Sequence, residues 1–251
     1  PNGDMAPGQS FIINLRRDKF KDIRVRKAIG LMFNFEWSNK TLFYDLYARI
    51  NSFWENSDMS AEGKPSKAEM NILQSVESIL PDNIIDSEVA QVSFSSTKQL
   101  DRKNLRMASK LLDEAGWEVS SDGLRKNSNG ETLDVEILND SQAFTRIIEP
   151  FIQNLISLGV NAKHTKIDNA QMTERERSFD FDIVTGNFPM SFTPGSGLKQ
   201  YFGSETADFS IFNKAGIKSD VIDELIEVVM SAKTRQELKI SVRALDRVLR
   251  S

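Results

Sequence analysis

Residues 133–167 read LDVEILNDSQAFTRIIEPFIQNLISLGVNAKHTKI, and this stretch decides the fold. Leu133 to Leu138 is a short apolar run broken by polar residues, which predicts a strand. Phe144, Ile147, Ile148, Phe151, Ile152, Leu155 and Leu158 then recur at helical spacing. Pro150 sits within that helix and removes a backbone donor, so a kink is expected there. Gly159 closes the helix, and Val160 to Ile167 predicts the next strand. A strand, a crossover of this length and another strand make a βαβ unit with parallel strands.

Outward from this unit the α/β pattern continues. Downstream, a helix over Asn169 to Arg177 leads to a strand over Phe181 to Thr185. Ile222, Leu225, Ile226 and Val229, then Leu238, Val242, Leu245 and Leu249, mark two amphipathic helices that close the chain. Upstream, Asp122-Gly123 and Asn129-Gly130 are turn signals bracketing a short hairpin. Leu105, Ala108, Leu111, Leu112 and Ala115 form a helical stripe that begins near Asp101 and stops at Gly116. Phe11 to Leu15 predicts a strand, and Asp22 can cap a helix whose apolar face is Val25, Ala28, Ile29, Met32 and Phe33. A second helix is expected from Ser38 towards Tyr47, followed by an aromatic-polar loop over 51–56. Lys67 to Leu80 has helical character, and Ser93 to Lys98 reads as loop. The fold class is α/β, a mixed and mostly parallel sheet flanked by helices.

Composition narrows the function classes. The 251 residues include 32 basic and 36 acidic side chains, for a net charge of −4 without a long run of either sign. That balance leaves no electrostatic footprint for nucleic acid and no polybasic membrane anchor. Absence of cysteine removes disulfide scaffolds, thiolate metal sites and cysteine nucleophiles. No apolar stretch approaches the roughly 20 residues of a membrane-spanning helix. The chain opens at Pro1-Asn2-Gly3 without a signal peptide, as a mature protein or a fragment would.

Catalysis finds little support. His164 is the only histidine, and with no second ligand at suitable spacing it reads as a surface or sheet-edge residue rather than a metal ligand. Asp180 and Asp182 precede the carboxyl end of their strand, where general acid–base groups would be misplaced. Gly195-Ser196-Gly197 is not followed by the Gly-Lys-Ser/Thr of a phosphate loop, and no nucleophile elbow occurs. Glu174 to Arg177 reads as a solvated charged face, and Arg24 and Arg26 either pair with carboxylates or reach an acidic ligand group.

Binding fares better. In open α/β sheets, ligands collect beyond the carboxyl ends of the strands. The strand over Phe181 to Thr185 ends in a long loop, Gly186 to Gly197, carrying Phe188, Met190 and Phe192. Such side chains need either the core or a ligand to cover them. Gly186, Asn187, Phe188, Met190, Ser191, Phe192 and Thr193 are the candidate ligand-binding residues, with Phe53 and Trp54 as a second wall. No catalytic residue, metal site or cofactor is expected.

Phe20-Lys21-Asp22-Ile23-Arg24-Val25-Arg26-Lys27-Ala28-Ile29 resembles the F-x-D-x-R-V-R-x-A signature of the extracellular solute-binding protein family 5, the peptide and nickel receptors of ABC importers. Phe33 to Trp37, Thr41 to Tyr44, Ser52 to Ser57, Leu111 to Trp117, Pro150 to Leu155, Leu158 to Val160 and Arg243 to Leu249 resemble one branch of it, that of microcin C and oligopeptide receptors. The resemblance implies a type II periplasmic binding protein, whose two lobes close over the ligand. It implies a peptide or peptide-like solute, a membrane permease as partner, a periplasmic location and a monomer at full length. Neither nucleic acid nor direct membrane insertion is expected. It further implies an incomplete chain: residues 1–251 as the second lobe, with 11–15 as the crossing strand and the first lobe and final return segment absent.

The chain departs from the family where peptide-binding members often carry an Asp that pairs with the peptide's ammonium; Phe192-Thr193-Pro194 has none, and Ser196-Gly197 replaces the branch's Asn-Glu. Two other readings stand beside the transport receptor. One is a sensory domain of the same fold in a transcription regulator, and the other a small hydrolase or transferase on an α/β lobe.

Overall fold

The computed structural model describes Ala6 and residues 8–251, so Pro1-Asn2-Gly3 lies outside the described residues. In chain order the elements are β1 (Gly8–Ile13), α1 (Ile23–Met32), α2 (Phe35–Leu42), α3 (Lys67–Ser75), α4 (Arg102–Glu114), β2 (Glu118–Val119) and β3 (Arg125–Lys126). There follow β4 (Asp134–Asn139), α5 (Gln142–Ser157), β5 (Asn161–Lys166), α6 (Asn169–Arg177), β6 (Ile183–Phe188), α7 (Gly197–Phe202), α8 (Asp220–Ser231) and α9 (Arg235–Leu249).

The chain divides into two compact units. One holds Phe11–Arg49 and Ser93–Thr185; the other holds the chain up to Ser10, Ile50–Val92 and Gly186–Ser251. The physical reason is that two separate apolar cores form, with no residue in common. The division falls inside β1 and inside β6, so both strands carry the chain from one unit to the other.

The first unit contains the sheet, in the order β1-β6-β4-β5. The βαβ unit is as predicted: β4 and β5 pair in parallel from Asp134↔Asn161 to Asn139↔Lys166, and α5 runs between them through Pro150. β6 pairs in parallel on the other side of β4. The order therefore reverses at β4, the kind of switch point that leaves room for ligand loops. Ile148, Phe151, Ile152 and Leu155 of α5 and Ala108 and Leu112 of α4 join Val25, Ala28 and Ile29 of α1 in the core. The Asp22 carboxylate caps α1 by accepting from the Arg24 N–H at 2.8 Å, as expected.

β1 runs over Gly8–Ile13 instead of from Phe11 to Leu15, and two helical stretches also differ from expectation. α2 starts at Phe35, because the Asn34 side chain accepts from the Trp37 N–H, and it ends at Leu42 instead of continuing to Tyr47. Tyr44 and Asp45 turn the chain with φ of 54° and 58°, and the Asn39 amide holds Tyr47 through both its N–H and its C=O. The resulting turn leaves Tyr44 and Leu46 largely in solvent. Similarly, the helical character of 67–80 is divided between α3 and a 3₁₀ turn over Glu77–Ile79.

Glu136 on β4 supplies a pH test. Burial pushes its carboxyl up, but the Thr165 hydroxyl, Arg175 at 2.7 Å and Lys163 at 3.0 Å pull harder and hold it at about 2, against an ordinary 4.5. A carboxylate depressed on folding stabilises the native state above its unfolded pKa and loses that contribution as pH falls through the folded one. Acid titration should therefore weaken this unit between about pH 4.5 and about 2. Glu136→Gln should remove about 1–2 kcal/mol of that dependence, since water at the sheet screens the pairs. Chemical denaturation across this pH range measures it.

Candidate functional site

The second unit builds its core from α3, α7, α8 and α9 around Leu73, Leu198, Phe202, Leu225, Ile226, Val242 and Leu245. β6 ends three residues later than the sequence predicts: Gly186, Asn187 and Phe188 continue the strand instead of opening a loop. Phe188 thereby joins a cluster of rings. Its centroid lies 5.2 Å from Phe53, edge-on, 5.7 Å from Phe202, nearly parallel, and 6.5 Å from Tyr201. Phe53 meets Phe202 at 5.3 Å, and Tyr201 meets Phe212 at 5.7 Å. Offset and edge-on pairs of this kind contribute beyond the area they bury. The series grades outward: Phe202 is wholly buried, Phe53, Phe188 and Tyr201 half-buried, and Phe212 48% exposed.

The sequence candidates divide accordingly. Phe53 and Phe188 are in contact. Met190 packs on the core, and Phe192 remains 40% exposed. The Phe192 carbonyl accepts a 2.6 Å hydrogen bond from Arg235 Nη1, while Nη2 of the same guanidinium reaches Asp58 at 2.8 Å. Asn187, Ser191 and Thr193 are exposed, and the Ser191 hydroxyl accepts from the Thr193 N–H at 3.0 Å. Trp54 corrects the expectation of a second wall: its side chain is wholly buried in the core, so only Phe53 of that pair faces the rings. Both residues open a turn over 53–56, from which the Trp54 ring enters the core while the Phe53 ring stays half-buried.

Tyr201, Phe202 and Phe212 belong to the cluster, yet no periodicity in the sequence singles them out. The local signal is Gly203: a Cβ there would lie 2.7 Å from the Lys199 carbonyl, so only glycine lets the chain turn so closely after α7.

The remaining polar candidates serve the fold. Asp180 pairs with Arg17 and Asp182 with Lys19, each at 2.7 Å. His164 stands on the edge strand β5, its ring nitrogens 2.7 Å from Glu149 and 2.6 Å from Asn139. Arg24 pairs with Asp22 and donates to the Glu114 carbonyl, and Arg26 donates to the carbonyls of Phe20 and Lys21. Among the described residues no group of three His, Cys, Asp or Glu could hold a metal ion, and no helix is long and apolar enough to cross a membrane.

Residues 4–209 match the model of the bacterial extracellular solute-binding proteins, family 5 Middle. The chain is 39% identical over 243 residues to the probable peptide-binding protein YejA of Agrobacterium fabrum, covering 96% of this chain and 39% of that protein. Among solved structures it resembles NikZ of Campylobacter jejuni in complex with Ni(L-His), with a TM-score of 0.72, 15% identity and coverage of 98% and 43%. It also resembles the oligopeptide-binding protein AppA of Bacillus subtilis in complex with a nonapeptide, with a TM-score of 0.70, 17% identity and coverage of 97% and 43%. The chain thus spans about two fifths of the curated relative's length. These relatives and neighbours are binding proteins, not enzymes, and their shared architecture is the type II periplasmic binding fold. The chain belongs to the bacterial extracellular solute-binding proteins of family 5.

Proposed function

We propose that the receptor to which this chain belongs captures peptides or peptide-like solutes in the periplasm and delivers them to the membrane permease of an ABC importer. Family membership supports capture of an extracellular solute, and the likeness to a probable peptide-binding protein favours a peptide over a free metal. The observation that carries the reading is the half-exposed cluster of Phe53, Phe188, Tyr201 and Phe212. Apolar ligand surfaces with a few polar groups at their margin are how binding proteins hold small solutes. Asn187, Ser191 and Thr193 would supply that margin. Nothing acidic in the 186–197 segment awaits a free ammonium, so recognition would rest on side-chain packing and backbone groups.

In this reading each unit contributes to a lobe of the full receptor, and β1 and β6 are crossing strands. Ligand would then shift an open–closed equilibrium by binding the closed form better. The test is mass spectrometry of small molecules retained by the complete receptor, followed by titration with a pool of synthetic nonapeptides. Peptides should be recovered from the native protein, and Phe53→Ala or Phe188→Ala should raise Kd about tenfold, the value of one well-packed ring. Recovery of no peptide, with both variants binding the pool as wild type does, sinks the reading.

A further inference from the structure

α9 carries a polar stripe on the face turned to the 51–63 segment, and its centre is an acid. Asp246 is wholly buried. Its Oδ2 accepts from the Ser52 hydroxyl at 2.9 Å, the Ala61 N–H at 3.0 Å and Arg250 Nη1 at 3.2 Å, while Oδ1 accepts from the Phe53 N–H at 3.0 Å. The Ser52 hydroxyl in turn accepts from the Trp54 N–H at 2.9 Å. One carboxylate thus gathers the two ends of the loop between Phe53 and Ala61, holding the Phe53 N–H directly and the Trp54 N–H through the Ser52 hydroxyl. Around it Arg250 also reaches the Ala61 and Ala90 carbonyls, and Arg247 reaches the Gly63 carbonyl and lies 3.5 Å from the buried Glu69.

Burying a charge is a poor route to stability, because desolvation offsets most of the attraction it gains, and an apolar side chain of similar size commonly does as well. Burial raises the pKa of this acid, against its donors and Arg250, so the desolvation cost is real here. What a carboxylate provides and an apolar group does not is direction: four donors converge on two oxygens and leave the loop one conformation. That conformation sets the phenyl ring of Phe53 edge-on to both Phe188 and Phe202.

We infer that Asp246 is a positioning residue of the ligand surface, holding the Ser52–Trp54 backbone so that Phe53 presents its ring beside Phe188. The inference rests on the reading of that aromatic cluster as the ligand surface. Its test uses the complete receptor with 4-fluorophenylalanine in place of Phe53 and ¹⁹F NMR. The native protein should give one resonance displaced from that of the free amino acid. Asp246→Asn retains one carbonyl acceptor but sets an amide N–H₂ against donors, and it should split the resonance or move it towards the free value. It should also raise Kd for the nonapeptide pool about tenfold, and add nothing in a Phe53→Ala background. A merely structural role would weaken binding additively in the two backgrounds.

An unmoved resonance, or additive losses, overturns the proposal. Should Asp246→Asn not fold, Ser52→Ala removes one donor and keeps the carboxylate paired, and a smaller displacement in the same direction is expected; no displacement overturns the proposal equally. If no variant and no native protein binds the pool, the ligand reading fails, while the fluorine resonance still decides the role of Asp246.

Discussion

Trp54→Ala is expected to lower the unfolding free energy by about 3–5 kcal/mol, the usual cost of emptying a buried indole site. The residue is wholly buried among Met59, Leu73, Leu198, Leu225 and Val242, so its removal leaves a cavity that helices on several sides must hold open. The indole Nε1 makes no hydrogen bond among the described residues, so the loss is one of packing and not of a polar contact. Trp54→Phe keeps most of the volume and discards that unpaired donor, and should cost much less, about 1 kcal/mol. Urea titration of the two variants separates these outcomes. The comparison also distinguishes Trp54 from its neighbour. Phe53→Ala, at a half-exposed ring, should reduce binding more than stability, and Trp54→Ala should do the reverse. Loss of peptide binding by Trp54→Ala with an unchanged unfolding midpoint would return this residue to the ligand surface.

The contrast shows what a sequence discloses about such a site. The βαβ unit was legible because helical and strand periodicities are local, and each reports a face that must be buried. Parallel pairing of β4 with β5 follows from the length of the crossover alone. The cap at Asp22 was legible for the same reason, since it acts on the N–H groups just beyond it. By contrast, Phe53 and Trp54 look alike in sequence, and only the packing of a distant helix decides which ring enters the core. The division into two units was hidden too. Every helical stripe announces burial, but none says which of two cores it joins.

Asn34 and Asn39 show a related blindness. Asn34 stands before α2 and Asn39 inside it; their side-chain hydrogen bonds to Trp37 and Tyr47 set the start of the helix and the path of the chain after it. An asparagine competes with the backbone for partners, and the winner is fixed by geometry several residues away. Nor could composition expose the ring cluster. Phe53, Phe188, Tyr201 and Phe212 are spread over three segments of chain, and their meeting depends on the tight turn at Gly203 and the extension of β6 to Phe188.

Arg125 is the strongest case of a role invisible in sequence, and its replacement is the second large effect expected. It lies between two glycine turns in a hairpin, where a charged residue would ordinarily face water, yet it is 1% exposed. Gly159 covers it: a Cβ at that glycine, whose φ is +89°, would lie 3.2 Å from the Arg125 Cγ. The guanidinium donates to the Leu158 carbonyl at 2.9 Å and to the Trp117 carbonyl, the Ser109 hydroxyl and the Asp113 carboxylate at 2.6 Å each. Exchange of a buried ion pair for apolar residues can be neutral when both partners are replaced together. Here two of the acceptors are main-chain carbonyls, which no substitution removes. Arg125→Leu should therefore orphan them and cost about 3–5 kcal/mol. Arg125→Lys, with one nitrogen in place of a planar fork, should recover only part of that loss. Asp113 is 54% exposed, so Asp113→Asn should cost no more than about 1 kcal/mol. Thermal or urea unfolding of the three variants tests the ranking. Equal losses from Arg125→Leu and Asp113→Asn would mean that the ion pair, and not the carbonyls, is what Arg125 holds together.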